Sequence, residues 1–272
     1  MKSVKKYATA MALALAGCTL LAGPALATEE EKPFADLTVG AYSQYIWRGF
    51  ALSKDSIVIQ PSMTVGYKGF SMNLWGNLDS DPFDADPTVD NKSNWTETDL
   101  TLAYDWEMGP VGLSAGYIYY GLDAANDTQE VFLSASYDTF LSPTLSVYKD
   151  IANLSGWYVT LGVSHSLPLT ETLALDLGAQ VGYLRANDVS SYEEVDGSGN
   201  GTGKAYRAMH DGLLSAALPI ALNEYLTITP ELSYSFALSS KASDFLEESN
   251  SGAINKREDN FIYGGVSMTL AF

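Results

Sequence analysis

From Asp36 onwards, apolar and polar residues alternate with a period of two, the pattern of β-strands that have one apolar and one polar face. Leu37, Val39, Ala41, Tyr45 and Trp47 face one way; Thr38, Gly40, Tyr42 and Gln44 face the other. Ile57, Ile59, Pro61, Met63, Val65 and Tyr67 then oppose Gln60, Ser62, Thr64 and Gly66. After a tight turn at Lys68-Gly69, Phe70, Met72 and Leu74 oppose Ser71, Asn73, Trp75 and Asn77. Pro61 has no N–H for a ladder, which predicts a bulge or local defect there. Nine further segments follow, marked by Leu100–Trp106, Val111–Tyr119, Val131–Tyr137, a weak one at Leu145 and Val147, Trp157–Val163, Leu173–Tyr183, Tyr206–Leu218, Leu226–Phe236 and Phe261–Phe272.

These segments run to roughly 9 to 13 residues, the length a tilted strand needs to cross an outer membrane. After Ala27 no apolar run approaches the roughly 20 residues of a spanning helix, so a membrane location requires a closed barrel. The connections alternate in length. Short ones fall at Lys68-Gly69, 107–110, 139–143, 168–171 and 221–224; long ones fall near 48–56, 79–94, 121–128, 151–156, 185–203 and 238–258. Tyr67, Phe70, Tyr104, Trp106, Tyr137, Phe140, Tyr225 and Phe272 cluster beside the short turns. Tyr45, Trp47, Tyr119, Trp157, Tyr183 and Phe236 cluster beside the long loops. Two aromatic belts at opposite strand ends mark membrane interfaces, whereas a soluble sandwich would place its aromatics mid-strand. The fold class is therefore all-β: a transmembrane antiparallel up-and-down β-barrel of about 12 strands, with short periplasmic turns and long acidic outer loops.

The start of the chain is different. Lys2, Lys5 and Lys6 precede an apolar run from Ala8 to Leu26, and Ala25-Leu26-Ala27 provides small residues for cleavage. This predicts a signal peptide at 1–27, a short periplasmic segment at 28–35 and the barrel at 36–272. Leu15-Ala16-Gly17-Cys18 offers a rival lipoprotein reading, but the residues from Thr19 to Ala27 stay apolar where a polar tether is normal. Cys18 is the single cysteine, so cleavage after Ala27 removes disulfide, thiol and cysteine–metal chemistry. Loss of the three lysines takes the net charge from −18 to −21, which argues against nucleic acid as a partner.

The polar parity supplies the candidate pore lining: Gln44, Gln60, Asn73, Asn77, Glu97, Asp99, Glu130, Asp176, Arg207, Asp211 and Glu231, with Arg48 at the rim. Acids outnumber bases among them, so a water-filled lumen would favour small cations. In the alternative, acids and arginines pair and close the barrel, leaving the acidic loops to bind divalent cations or a surface partner. Arg48 is expected to face Glu97 or Asp99 in a rim salt bridge.

No metal or cofactor is expected. The acids Asp79, Asp81, Asp84, Asp86 and Asp90 do not have EF-hand spacing and read as a solvated loop. Gly197 to Lys204 lacks the first glycine of a phosphate loop and the hydroxyl after its lysine. Catalysis is not expected either. His210 and Asp211 are adjacent, so alternation directs them to opposite faces, and His165 reads as an outward interfacial side chain.

Ile262, Val266, Met268, Leu270 and Phe272 share one parity. A last strand ending on an aromatic resembles the C-terminal signal of Gram-negative outer-membrane barrels. That resemblance implies the barrel-assembly machinery as a partner, alongside outer-membrane lipid, lipopolysaccharide and small solutes. Tyr45-x-Trp47-Arg48-Gly49, Gln60-Pro61, Gly69-Phe70, Trp75-x-Asn77 and Glu97-x-Asp99-Leu100 leading to Tyr104 resemble the small porins of the TorF type. This resemblance covers about the first hundred mature residues and implies an outer-membrane barrel with pore activity.

Overall fold

The computed structural model describes residues 32–82, 93–123, 125–254 and 256–272. The signal-peptide reading, and Asp84, Asp86 and Asp90, lie outside the described residues. Twelve strands form the wall: β1 (Phe34–Tyr42), β2 (Val58–Tyr67), β3 (Phe70–Asp79), β4 (Asn94–Met108), β5 (Val111–Leu122) and β6 (Thr128–Tyr137), then β7 (Thr144–Asp150), β8 (Gly156–Pro168), β9 (Ala174–Ala186), β10 (Arg207–Ala217), β11 (Leu226–Ala237) and β12 (Asn260–Ala271). Each is antiparallel to its chain neighbour. The ring closes where β1 pairs with β12, with Leu37 opposite Leu270 and Ala41 opposite Val266. Closure leaves no sheet edge, the condition a strand protein must meet in lipid. A two-residue strand, Ile220–Ala221, pairs with β11 at the short-turn end.

Alternation sorts the side chains as the membrane requires. Leu133, Leu161, Leu232 and Ile262 face outward and are exposed, whereas Ser62, Ser134, Thr160 and Ser233 face inward and are buried. Tyr67, Phe70, Tyr104, Tyr137, Phe140, Tyr225 and Phe272 form the exposed belt beside the short turns. The belt at the long-loop end needs a correction. Trp157 is exposed there, but Tyr45 is only 2% exposed and Trp47 packs against the interior cluster. β1 stops at Tyr42, and the chain then turns into the barrel instead of continuing up its wall.

At Pro61 the strands do not bulge. Between β2 and β3 the pairing stops at Ile59 opposite Leu78 and resumes at Ser62 opposite Trp75, in unchanged register. The gap is bridged by side chains, with Gln60 Nε2 donating to Asn77 Oδ1 at 3.0 Å. Bulges occur elsewhere: between β3 and β4 at Asn77/Leu78, and between β9 and β10 at Val181/Tyr183.

One helix, α1 (Ser240–Ile254), lies in the loop between β11 and β12. Ser239 caps it, its Oγ accepting from the Ala242 N–H at 3.2 Å. Ala242, Phe245, Leu246, Asn250 and Ile254 are buried positions of the helix, spaced three and four apart as on one helix face.

Candidate functional site

Toward the short turns the interior is lined by small hydroxyl and amide side chains that bond across strands. Thr38 bonds Thr269 at 2.8 Å, Asn73 donates to Ser62 at 2.8 Å, and Ser134 bonds Ser146 at 2.7 Å. Toward the long loops the inward residues are larger and acidic. Asn77 donates to Thr96 at 2.8 Å, Tyr45 hydrogen-bonds Glu97, and Glu97 hydrogen-bonds Asp99. Glu231 on β11 bonds Tyr42 on β1. Asp79 is only 1% exposed and accepts from Ser56 Oγ at 2.7 Å, so this acid belongs to the interior and not to a solvated loop.

Gln60, Asn73, Asn77, Glu97, Asp99, Glu130, Asp176, Asp211 and Glu231 all sit at inward strand positions. Gln44 is buried too, but in the loop after β1. Arg207 does not face the interior: it is exposed on the outward face, opposite Arg185. The cause is the bulge on β10, where Gly182 stands opposite both His210 and Asp211, and the extra residue reverses the alternation from there to Arg207. A Cβ on Gly182 would lie 2.3 Å from Asp211 Oδ1 and 2.6 Å from Tyr158 Oη, so a side chain there would push the Tyr158–Asp211 pair apart.

The same bulge turns His210 and Asp211 both inward, against the expectation that they part. Each is engaged separately. Tyr158 Oη donates to Asp211 at 2.9 and 3.0 Å. His210 Nε2 lies 3.0 Å from the Arg48 carbonyl, which can only accept, so Nε2 carries the hydrogen; Nδ1 meets Tyr206 Oη at 2.8 Å. With both ring nitrogens engaged, this histidine holds a loop in place.

That loop is the main feature of the interior. After β1, Ile46–Trp47 and Phe50–Ala51 pair as a small hairpin whose turn residues, Arg48 and Gly49, both have positive φ (51° and 80°). Two such residues make the tight turn that suits a two-residue hairpin, and a non-glycine residue held in this region marks a strained, specifically supported position. Arg48 forks onto Glu130 of β6, at 2.8 and 2.7 Å, rather than reaching Glu97 or Asp99. Its guanidinium lies 4.3 Å from the Trp47 ring centroid and 4.2 Å from that of Tyr158. Tyr120 Oη donates to the same Glu130 at 2.9 Å. Burial disfavours the charge of Arg48, yet Glu130, with Tyr120 and Tyr158 beside it, holds the guanidinium well above its ordinary pKa.

Two other loops fold onto this hairpin. Asn250 of α1 accepts from the Ala51 N–H at 2.9 Å and donates to the Gly49 carbonyl at 3.2 Å. Phe245 of α1 stacks on Tyr206 at 4.1 Å and meets Phe50 edge-on at 5.9 Å. A second hairpin, Glu193–Val195 with Gly201–Ala205, is tied to α1 by Lys241 and Glu194 at 2.7 Å. Ile46 packs with Phe261 and Tyr263 of β12, and Tyr45 packs with Tyr42 and Val58 of β1 and β2. Side chains from the inserted loop thus meet the wall on several sides, and the long-loop end of the barrel is narrowed by packed aromatics.

Charge is one-sided inside. Asp79, Glu97, Asp99, Glu130, Asp150, Asp176, Asp211 and Glu231 face inward, while the strand cations Lys149, Arg185 and Arg207 face outward. Among the described residues, Arg48 is the cation that reaches in. Sequence reading missed α1 and the aromatics Tyr192, Tyr206 and Phe245; the 242/245/246 spacing after Ser239 was the available signal for the helix.

Comparison with solved structures finds this fold in porins. The KdgM porin superposes with a TM-score of 0.50 at 11% identity, covering 87% of this chain and 99% of its own. The NanC porin gives 0.50 at 9% identity, covering 88% and 98%. No protein-family model matches the sequence, and no curated protein is similar to it. The likeness is one of fold.

Proposed function

We propose that this chain is an outer-membrane porin-type channel of the TorF kind, exported by a cleaved signal peptide and passing small solutes with a preference for cations. Carboxylates on the inner face of the wall, with the cations of the twelve wall strands among the described residues all outside, carry this reading. Asp79 Oδ2, Asp99 Oδ1 and Asp176 Oδ1 are buried without a protein donor, and buried polar atoms of that kind are satisfied by water or a cation. Gln60, Asn73, Asn77, Glu97, Asp99, Asp176 and Glu231 line the path, and the Arg48 hairpin sets its narrowest part. The C-terminal strand, ending at Phe272, is the segment offered to the assembly machinery.

The inserted hairpin supports a second reading, in which the barrel is closed and its acidic outer loops bind divalent cations or a surface partner. Single-channel recording of the refolded mature protein in planar bilayers, under a salt gradient, separates the two. Steady openings with a cation-selective reversal potential uphold the channel. Anion-selective openings keep the pore and refute its charge preference, and silence from folded protein selects the closed barrel.

A further inference from the structure

The outward face carries an unusual row of charge. Lys149 on β7, Trp157 on β8, Arg185 on β9 and Arg207 on β10 are successive register partners, so they lie side by side across four strands. Each is the first or last residue of its strand at the long-loop end, or one removed from it. Directly below, the next outward positions on these strands are Val147, Val159, Tyr183 and Met209, the top of the apolar band.

This arrangement is costly as it stands. Arg185 and Arg207 are directly opposed on neighbouring strands, where like charges destabilise the pair. The chain is strongly acidic, yet these cations have no acidic partner within 4 Å among the described residues. The cations that do have one, Arg48, Lys54, Lys241, Lys256 and Arg257, all lie outside the twelve strands. Lys149 donates to the Gly156 carbonyl at 3.3 Å and lies 5.3 Å from the Trp157 ring, which holds its ammonium beside the row. A tryptophan at this level marks the headgroup region of a bilayer. Guanidinium forks match phosphate oxygens, and an anion between two arginines converts their repulsion into binding.

We propose that Lys149, Arg185 and Arg207, with Trp157 between them, form a docking site for the lipid phosphates of outer-leaflet lipopolysaccharide. The site rests on the outer-membrane placement proposed above but not on conduction, so lipid binding and channel recording can fail independently.

The test is titration of the folded full-length mature barrel, in detergent micelles, with lipid A, read by native mass spectrometry. The triple variant Lys149→Gln, Arg185→Gln, Arg207→Gln is expected to bind about tenfold or more weakly, since charge-assisted bonds to phosphate are lost. Lipid A stripped of both phosphates should bind the unaltered protein as weakly, and Lys68→Gln, at a turn on the opposite end, should bind normally. Folding of each variant is checked by its heat-dependent gel mobility. Should the triple variant not fold, Arg185→Gln and Arg207→Gln, both at exposed positions, serve singly. Equal affinity for phosphate-free lipid A, or unchanged affinity in the variants, overturns the proposal. So does a dimer of the chain that lipid A fails to disperse and that the variants dissolve.

Discussion

The Arg48 guanidinium is forked onto Glu130, with Nη1 and Nη2 at 2.8 and 2.7 Å from the two carboxylate oxygens. Arg48 belongs to the loop leaving β1, and Glu130 to β6, five strands away in a ring of twelve. The pair therefore ties a loop across the barrel to the far wall. Arg48→Ala strands Glu130 in a buried, desolvated place, and breaking such a pair costs about 3–5 kcal/mol. The variant should unfold at a lower temperature in gel-mobility assays and show larger single-channel currents. An unchanged current would mean that the hairpin is not the constriction.

Asn250 acts on the same hairpin from the other side. Its side chain accepts from the Ala51 N–H and donates to the carbonyls of Gly49 and Glu258. Asn250→Ala leaves those buried groups without partners, at about 1–3 kcal/mol for each group left unsatisfied. Residues 43–57 should then become open to limited proteolysis. Ser251→Ala, which loses only a bond within the helix to Glu248, should resist cleavage like the parent. Equal cleavage of both variants would show that α1 does not clamp the loop.

The wall was legible because lipid and lumen impose opposite polarities on successive residues, and the strand count follows from that alternation. The interior was not. Tyr45 and Trp47 continue the alternation of β1 in sequence, yet the chain turns inward after Tyr42, and no local pattern marks that turn. Arg207 and His210 were misplaced for a more specific reason. A bulge adds one residue, and every position beyond it changes face. Gly182, opposite the bulge, is the one sequence feature that hinted at it, since glycine in a strand often marks a close approach. Arg48 was correctly read as half of a salt bridge, but its partner depends on how far the loop reaches, which spacing does not encode.

Asp127, in the loop between β5 and β6, accepts from Tyr119 Oη and from the Leu122 N–H. These bonds hold its carboxyl below the usual Asp value, the Tyr119 bond contributing most. A depressed folded-state pKa gives stability that is present above the unfolded value and lost as pH falls through the folded one. The protection of the Leu122 amide, its exchange relative to an unstructured amide at the same pH, should therefore hold at neutral pH and fall below about pH 4, near the unfolded carboxylate value. Asp127→Asn should remove that acid dependence. If the protection of Leu122 falls with acid equally in the variant, another group is responsible.

Glu97 and Asp99 project from β4 into the interior, while Arg207 projects outward from β10, and selectivity should follow that geometry. Carboxylates in a narrow, low-dielectric passage concentrate cations, whereas a charge on the lipid side of the wall is separated from the path by the wall itself. Glu97→Gln with Asp99→Asn should move the reversal potential in a salt gradient toward zero and leave the barrel folded, since each amide is nearly isosteric with its acid. Arg207→Gln should leave the reversal potential where it was. The two results test the lumen charge and the bulge together. A shift with Arg207→Gln would return that side chain to the conduction path, and none with the double variant would place ion selection elsewhere, at Asp79 or Glu231.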